Sequence, residues 1–434
     1  MSSIAIIGTQ WGDEGKAKIV DLLAGNADAV VRTSGGNNAG HSVVVAGTKY
    51  RFRSIPCGIL YPGTLGILGN GTALYPPELL EEMDSLKEKG LHTENIRISL
   101  RAHVVMPYHL ILDGLMDEAR EDREEGDPAG ARHGIRPCYM DKVEGIGIRM
   151  CDLIDPDTVV KKVRSNAAIK NLIITRVYGG VQQVDAEKII QEYLAYGERL
   201  RPYIMDTGKL LDDMLREGKK VLFEGAQATM LDPDYGTYPY VTSSHPTIGG
   251  VACGCGVGLG SITHALGVMK AYTTRTGRGP FPTEIFGPEG RELRDRGHEY
   301  EPSGQFRRVG WFDAVAARYA VRVNGLEGIA LTKMNALRDL DEVKICVGYR
   351  RGEELIQVFP ASAEWLAECE PVYETMPGWG PIEGCNSYEE LPQEAKDFVK
   401  RIEELTGTSV MVLEMGSGRN KIVSWGPVNE WLKG

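Results

Sequence analysis

Strands and helices alternate along the whole chain, which predicts an α/β fold with a large, mostly parallel central sheet flanked by helices. Two observations sharpen that expectation. A buried strand at Ile4–Ile7 runs through a glycine-rich turn into a helix at Gly15–Leu23, the strand–loop–helix order of a phosphate-binding unit. No repeat, low-complexity tract or clear linker divides the 434 residues, so a single domain over 1–434, elaborated by insertions, is expected.

The elements follow in order. Ala29–Arg32 reads as a second strand. Ser42–Arg53 carries two β-rich runs around Ala-Gly-Thr, the pattern of a small β-hairpin. Leu65–Gly69 is a short apolar strand, and Pro77–Gly90 an amphipathic helix with a glycine stop. The charged stretch Asp117–Arg123 and the following Gly126–Gly130 read as a solvated helix end and a loop. Asp185–Gly218 is helical by pattern. Val221–Phe223 is a strand with Glu224-Gly-Ala-Gln227 at its carboxyl end. Residues 234–261, rich in Gly, Ser, Thr and Tyr, read as a long structured loop. Trp311–Val323 is a helix, Gly328–Thr332 a strand, Val343–Tyr349 a β run, Tyr388–Leu405 a helix and Ser409–Glu414 a late strand.

Composition narrows the partners. Apolar residues make up 42% and charged residues 25%, ordinary values for a globular protein with a sizeable core. A formal charge of −11 disfavours nucleic acid and anionic membrane as partners, while leaving room for a local basic pocket. The eight cysteines are scattered, with Cys253-Gly-Cys255 the only close pair. Such spacing argues against structural zinc and suits a reducing, cytoplasmic location. The start, MSSIAIIG, lacks a basic region and reads as a strand rather than a signal peptide. No run approaches the length of a membrane span.

The chemistry concentrates in Gly8-Thr-Gln-Trp-Gly-Asp-Glu-Gly-Lys16. An ordinary P-loop places four residues between its glycines and a Ser or Thr after its lysine. Here the loop is longer and Ala17 follows Lys16, so it is an expanded phosphate loop on a P-loop-NTPase-related frame. Backbone N–H groups and the helix N-terminus suit phosphate oxygens. Lys16 adds a point charge. Asp13, inside the loop, suits either Mg²⁺ or a substrate proton; the alternative is a surface turn with incidental charges. A second cluster, Ser34-Gly-Gly-Asn-Asn38-Ala-Gly40-His41, offers close backbone approach and neutral hydrogen-bonding groups. A lone histidine is more often structural, but its place after a double glycine favours a role for His41 as an acid on a phosphoryl or oxo group.

These two blocks closely resemble the adenylosuccinate synthetase family. So do Phe223–Gln227, Leu231-Asp232, Gly236–Ser244, Gly249–Val251, Gly279–Glu284, Gly310–Asp313, Glu374–Trp379 and Arg401–Gly407, in order and over nearly the whole chain. The resemblance implies a C–N bond-forming ligase. A nucleoside triphosphate phosphorylates the 6-oxygen of a purine 5′-nucleotide such as IMP, and the amino group of aspartate displaces that phosphate to give an N6-succinyl purine nucleotide. It also implies roles. Asp13 takes the proton from purine N1 and binds Mg²⁺, with the carbonyl of Gly40 as a second ligand. His41 donates to the moving phosphoryl group, and Lys16 neutralises phosphate charge. Gly12, Gly15, Gly40, Lys333, Asn335 and Gly416 surround the triphosphate. Gln227 holds the 6-oxygen side of the purine. Asn38, Thr242 and the position of Ala131 face the 5′-phosphate. Gln305 faces the purine nucleotide, Ser303, Gly304 and Arg307 form the aspartate site, and the protein is a homodimer.

Several positions depart from the family pattern. Ala131 stands where a threonine would contact the 5′-phosphate, and Gly145 where an arginine would reach across a dimer. Arg132, His133 and Arg136 are candidates to compensate. Gln305 replaces an arginine that touches the amino acid and the ribose 2′-hydroxyl, which exchanges a charged fork for a neutral amide. Asn335 replaces an aspartate that accepts both guanine protons. An Asn amide offers one acceptor and one donor group, a match for adenine's edge. The expectation is therefore a paralogue that uses ATP or dATP and a deoxy or 2-amino nucleotide such as dGMP. The alternatives are a housekeeping GTP-dependent IMP–aspartate ligase and, from another class, a non-catalytic nucleotide-binding regulator. Retention of His41, Gln227 and Arg307 speaks against the last.

Overall fold

The computed structural model describes residues 3–38, 40–45, 48–119, 132–300, 306–416, 418 and 421–432. Ten strands form the central sheet: β1 (Ser3–Gly8), β2 (Ala29–Arg32), β3 (Leu65–Leu68), β4 (Ile96–Ser99), β5 (Ile204–Met205), β6 (Val221–Glu224), β7 (His264–Lys270), β8 (Gly328–Thr332), β9 (Val410–Glu414) and β10 (Ile422–Ser424). Their order across the sheet is β5-β4-β3-β2-β6-β1-β7-β8-β9-β10. Every pairing is parallel except β9 with β10 at one edge. The expected parallel α/β sheet is therefore present.

Alternation along each strand separates two cores. Ile4, Ile6, Val30, Leu222, Leu266 and Val268 belong to one packed cluster. Their neighbours Ala5, Ile7, Val31, Phe223, Met269 and Leu331 belong to another. Because side chains alternate along a strand, these clusters occupy opposite faces, as expected for a sheet covered by helices on both sides. The first helix, α1 (Lys16–Ala24), buries Ile19, Val20 and Leu23 in the first cluster.

The hairpin is formed by His41–Val45 and Thr48–Phe52, with His41 opposite Phe52. A smaller sheet unites Phe312–Asp313, Glu342–Arg351, Glu354–Ile356 and Glu370–Pro377. Several boundaries differ from expectation for local reasons. The single helix expected over Asp185–Gly218 is two, Ala186–Leu200 and Thr207–Arg216, each begun by an aspartate that accepts backbone N–H groups, with strand β5 between them. The helix expected from Trp311 starts at Ala314, where the Asp313 carboxylate accepts from Val315 and Ala316 N–H. The helix expected from Tyr388 begins only after Pro392. Strands β4 and β7 and the helices Pro107–Glu118, Ile135–Glu144 and Pro156–Leu172 were not anticipated.

The expectation of an unbroken loop over 234–261 is corrected by a helix at Ile248–Cys255. Its sequence, IGGVACGC, is poor in helix formers, so packing overrides propensity. A Cβ on Gly254 would lie 2.0 Å from the Thr33 carbonyl oxygen, and one on Gly250 1.9 Å from that of His245. Glycine is what lets this helix touch the chain after β2.

The same close approach recurs beside the second glycine cluster. A Cβ on Gly36 would stand 2.1 Å from the Ala73 carbonyl oxygen and 2.8 Å from Ile135 Cδ1. Gly36→Ala is expected to lower stability by about 2 kcal/mol or more, measured by chemical denaturation. An unchanged midpoint and slope would show that this segment yields freely.

Candidate active site

Most of the expected site residues that the structure describes gather along the carboxyl edge of six adjacent strands. Asn38 and His41 follow β2, Gln227 follows β6, the phosphate loop follows β1, Lys333 and Asn335 follow β8, and Gly416 follows β9; between them Lys270, which was not anticipated, ends β7. Open parallel sheets place ligands at this edge.

The loop between β1 and α1 is shaped by left-handed residues. Gly12 and Gly15 have φ of 97° and 87°, and Asp13 has φ of 58°. For a non-glycine residue this conformation costs about 1–2 kcal/mol. The strain is held at the one carboxylate in the loop that is exposed to solvent. Glu14 turns the other way. One of its oxygens accepts from the N–H groups of Gln10 (3.1 Å) and Gly12 (2.9 Å), and the other pairs with Lys16 Nζ at 2.5 Å. Both side chains are buried. The loop's N–H groups thus already hold a carboxylate of the chain itself. The Thr332 hydroxyl, at the end of β8, donates to the Glu14 carbonyl (2.6 Å) and fixes the loop from the other side.

His41 sits in a second buried charge group. Its Nδ1 hydrogen-bonds the Glu224 carboxylate. Arg32 Nη1 lies 3.3 Å from the same oxygen, and the Cys57 N–H donates to the other at 3.1 Å. Burial alone would push the Glu224 carboxyl up, but Arg32, His41 and the Cys57 N–H hold it down at about 2. Burial pulls the His41 pKa down, and Arg32 pulls the same way against Glu224. The imidazole is neutral at neutral pH, so it donates through Nδ1 to Glu224 and leaves Nε2 as an acceptor. Handing a proton to a phosphoryl oxygen through Nε2 requires a second proton on the ring.

A third group surrounds Asp13. Arg307 Nε lies 2.8 Å from Asp13 Oδ2, and Arg307 Nη1 is 3.3 Å from Glu299 Oε2. The Thr276 hydroxyl donates to Asp13 at 3.3 Å. Glu299 is also paired with the buried Lys270 at 2.6 Å.

The other expected residues are placed as follows. Asn38 Oδ1 accepts from the Gly36 N–H (3.1 Å), and Thr242 N–H donates to the Leu231 carbonyl (2.8 Å). Gln227 adopts a φ of 64°. Lys333 Nζ donates to the Gly297 carbonyl (3.0 Å), and Asn335 lies in the short turn Met334–Leu337. Gly40 is exposed, with nothing near its Cβ position. Gly416 gives its carbonyl to Lys18. Gly145 closes the helix Ile135–Glu144 with φ of 86°, so an arginine there would face a backbone that favours glycine. Ala131, Ser303, Gly304 and Gln305 lie outside the described residues. Of the possible compensating cations, Arg132 pairs with Glu118 on the surface (2.8 Å).

The donor chemistry fits a hard cation. Mg²⁺ takes oxygen ligands and few of them from protein, the rest from phosphate and water. The Asp13 carboxylate and the open Gly40 carbonyl are ligands of that kind. Another group, Asp232, Asp234 and His245, brings three ligand atoms within 4.8 Å. Asp232, however, already accepts from the N–H groups of Asp234 and Tyr235 and from the Thr247 hydroxyl, so it builds a turn. A surface cavity of about 660 Å³ beside Tyr388, Glu403 and Trp425 includes none of the residues expected at the site.

Sequence reasoning missed Glu14, Arg32, Glu224, Lys270 and Glu299. Three of the five, Arg32, Glu224 and Lys270, carry one signal in common: a charged residue at the end of an apolar strand. Glu14 and Glu299 carry none.

Comparison with known proteins completes the picture. The family model for adenylosuccinate synthetase matches residues 5–423. The adenylosuccinate synthetase of Heliobacterium modesticaldum is 51% identical over 429 residues, covering 98% of this chain and 99% of that one. That of Thermoanaerobacter sp. is 48% identical over 425 residues, covering 98% and 99%. The structure of fully ligated adenylosuccinate synthetase from Plasmodium falciparum matches with a TM-score of 0.90 at 36% identity, over 98% of this chain and 99% of that chain. A cyanophage S-2L succinoaminodeoxyadenylate synthetase bound to dGMP and dATP shares the fold, with a TM-score of 0.60 at 19% identity over 99% and 97%. With a family match running from β1 into β10 and relatives that share about half their residues end to end, this chain belongs to the adenylosuccinate synthetase family and is a ligase of that family.

Proposed function

We propose that this ligase joins aspartate to C6 of IMP with phosphorylation of the 6-oxygen, and that its triphosphate donor is ATP or dATP rather than GTP. The observation that carries the first part is the convergence of Asp13, Lys16 and His41, each with a charged partner, on the carboxyl edge of the sheet. The whole-length relatives named adenylosuccinate synthetase favour IMP over dGMP; the phage enzyme's likeness concerns the fold alone.

The chemistry follows from the charges. Asp13 accepts the N1 proton as the 6-oxygen attacks the γ-phosphorus. Lys16 leaves Glu14 for the incoming phosphate. His41, its Nδ1 anchored on Glu224, gains a proton as negative charge arrives and donates from Nε2. Arg307 receives the carboxylate of aspartate, whose amine then displaces phosphate at C6. Gln227 holds the purine's 6-oxygen side, and Asn38 and Thr242 the 5′-phosphate. Asp13 and the Gly40 carbonyl would hold Mg²⁺, which would supply neutralisation of phosphate charge. Positioning and electrostatics do most of the work.

A homodimer is part of the proposal. Met140, Val143, Ile169, Leu172, Val177 and Val181 are all large, apolar and exposed on or just beyond the helices Ile135–Glu144 and Pro156–Leu172. Side chains of this kind would supply the apolar contacts of such an interface.

Three outcomes test these readings. A mass-spectrometric screen of IMP, dIMP, GMP and dGMP with aspartate, Mg²⁺ and each triphosphate is expected to give the succinyl product fastest from IMP with ATP or dATP. A strong GTP preference would sink the donor assignment, and no triphosphate cleavage in any mixture would favour binding without catalysis. Asn335→Asp is expected to shift kcat/KM toward GTP by about tenfold or more, because one bidentate base contact discriminates by about 1–3 kcal/mol; an unchanged ratio would place the donor's base elsewhere. Glu224→Gln removes the group that raises the His41 pKa, so the protonated ring becomes scarcer. The alkaline limb of the kcat profile should move to lower pH, with kcat at neutral pH down by roughly tenfold to a hundredfold. A limb that stays in place would remove His41 from proton transfer.

A further inference from the structure

We propose that Glu299 is a positioning residue: it holds Arg307 poised between Asp13 and the carboxylate of the amino-acid substrate. This rests on the reading that Arg307 binds that carboxylate.

Four charges alternate in one line. Lys270 Nζ is 2.6 Å from Glu299 Oε1, Glu299 Oε2 is 3.3 Å from Arg307 Nη1, and Arg307 Nε is 2.8 Å from Asp13 Oδ2. The inner pair is sealed, with Lys270 at 1% and Glu299 at 2% exposure, while Arg307 is at 19% and Asp13 at 35%. The line therefore runs from the core to the open site. Glu299 also accepts from the Tyr272 hydroxyl. Burial pushes its carboxyl up, but Lys270 and Tyr272 more than offset that and keep it ionised.

The backbone ties the same two residues. The Arg307 N–H donates to the Glu299 carbonyl (3.2 Å), and Tyr300 and Phe306 form an antiparallel bridge with rings 5.9 Å apart. The Glu299 turn is fixed in turn. Its N–H donates to the Arg294 carbonyl (2.9 Å), His298 is left-handed at φ 54°, and Lys333 donates to the Gly297 carbonyl (3.0 Å).

The Arg307–Asp13 contact is close but poorly directed. Among the described residues, the Nε–H finds no acceptor in hydrogen-bonding geometry despite the 2.8 Å separation. An arginine held by Glu299 on one side and only loosely by Asp13 on the other is free to turn to a new carboxylate. Without the Glu299 charge, Arg307 would settle fully on Asp13. It would then occupy the proton acceptor and be less available to the amino acid.

The test is steady-state kinetics and thermal melting of the full chain carrying Glu299→Gln, Glu299→Asp, Lys270→Met/Glu299→Gln or Arg307→Leu. Glu299→Gln and Glu299→Asp should raise the KM for aspartate about tenfold or more, as expected for a lost hydrogen bond to a charged group. The KM values for nucleotide and triphosphate should stay within about twofold. The double variant removes both buried charges together, so it should regain thermal stability yet keep the high aspartate KM. The inference is overturned if the double variant restores the aspartate KM, or if all three KM values rise together, since either shows a purely structural ion pair. It is also overturned if the Glu299 variants leave the aspartate KM unchanged while Arg307→Leu raises it. If Arg307→Leu itself leaves that KM unchanged, the assignment of Arg307 to the amino acid fails first. Should Glu299→Gln not fold, Glu299→Asp, which keeps Lys270's counter-charge, and the double variant carry the test.

Discussion

The constraint on which the rest depends is the parallel sheet's carboxyl edge, where buried charges must be paired before any substrate arrives. A carboxylate or guanidinium taken out of water costs several kcal/mol unless it is matched. Each charged side chain that matters here is matched: Lys16 with Glu14, His41 and Arg32 with Glu224, Lys270 and Arg307 with Glu299, Asp13 with Arg307. The candidate site is a set of internal ion pairs, and in the proposed reaction substrate phosphates and carboxylates would compete with the protein's own carboxylates for the same cations. That competition explains why a loop rich in N–H donors is already folded: Glu14 occupies it.

This arrangement links the strands to the reaction. Six neighbouring strands end in the row that carries the candidate site, and the glycines that follow them allow backbone segments to touch where side chains would collide. The left-handed turn at Asp13 aims its carboxylate outward while Glu14 points inward. One loop thereby separates a buried acid from an exposed one through backbone conformation.

Much of this was legible in the sequence. Helix and strand alternation pointed to the fold class, and Gly8–Lys16 and the cluster from Ser34 to His41 stood out as segments that folding brings to the sheet's carboxyl edge. What stayed hidden has physical reasons. The helix at Ile248–Cys255 is written in glycines that only tertiary packing makes favourable. Strand β7, HALGVMK, has too little β-branching to stand out. The counter-charges Glu14 and Glu299 are invisible to local pattern, because each gains its role from partners brought close only by folding. The departures at Gly145 and Asn335 were visible. The structure adds that Gly145 serves a helix stop, so the change from arginine is also a change of backbone.

The central claim is that the 6-oxygen itself is phosphorylated and leaves as phosphate. The most direct measurement uses IMP labelled with ¹⁸O at the 6-position, with aspartate, Mg²⁺ and triphosphate, and weighs the phosphate released. The account predicts one ¹⁸O atom in each phosphate formed per succinyl product. Unlabelled phosphate alongside labelled purine or labelled water would contradict it.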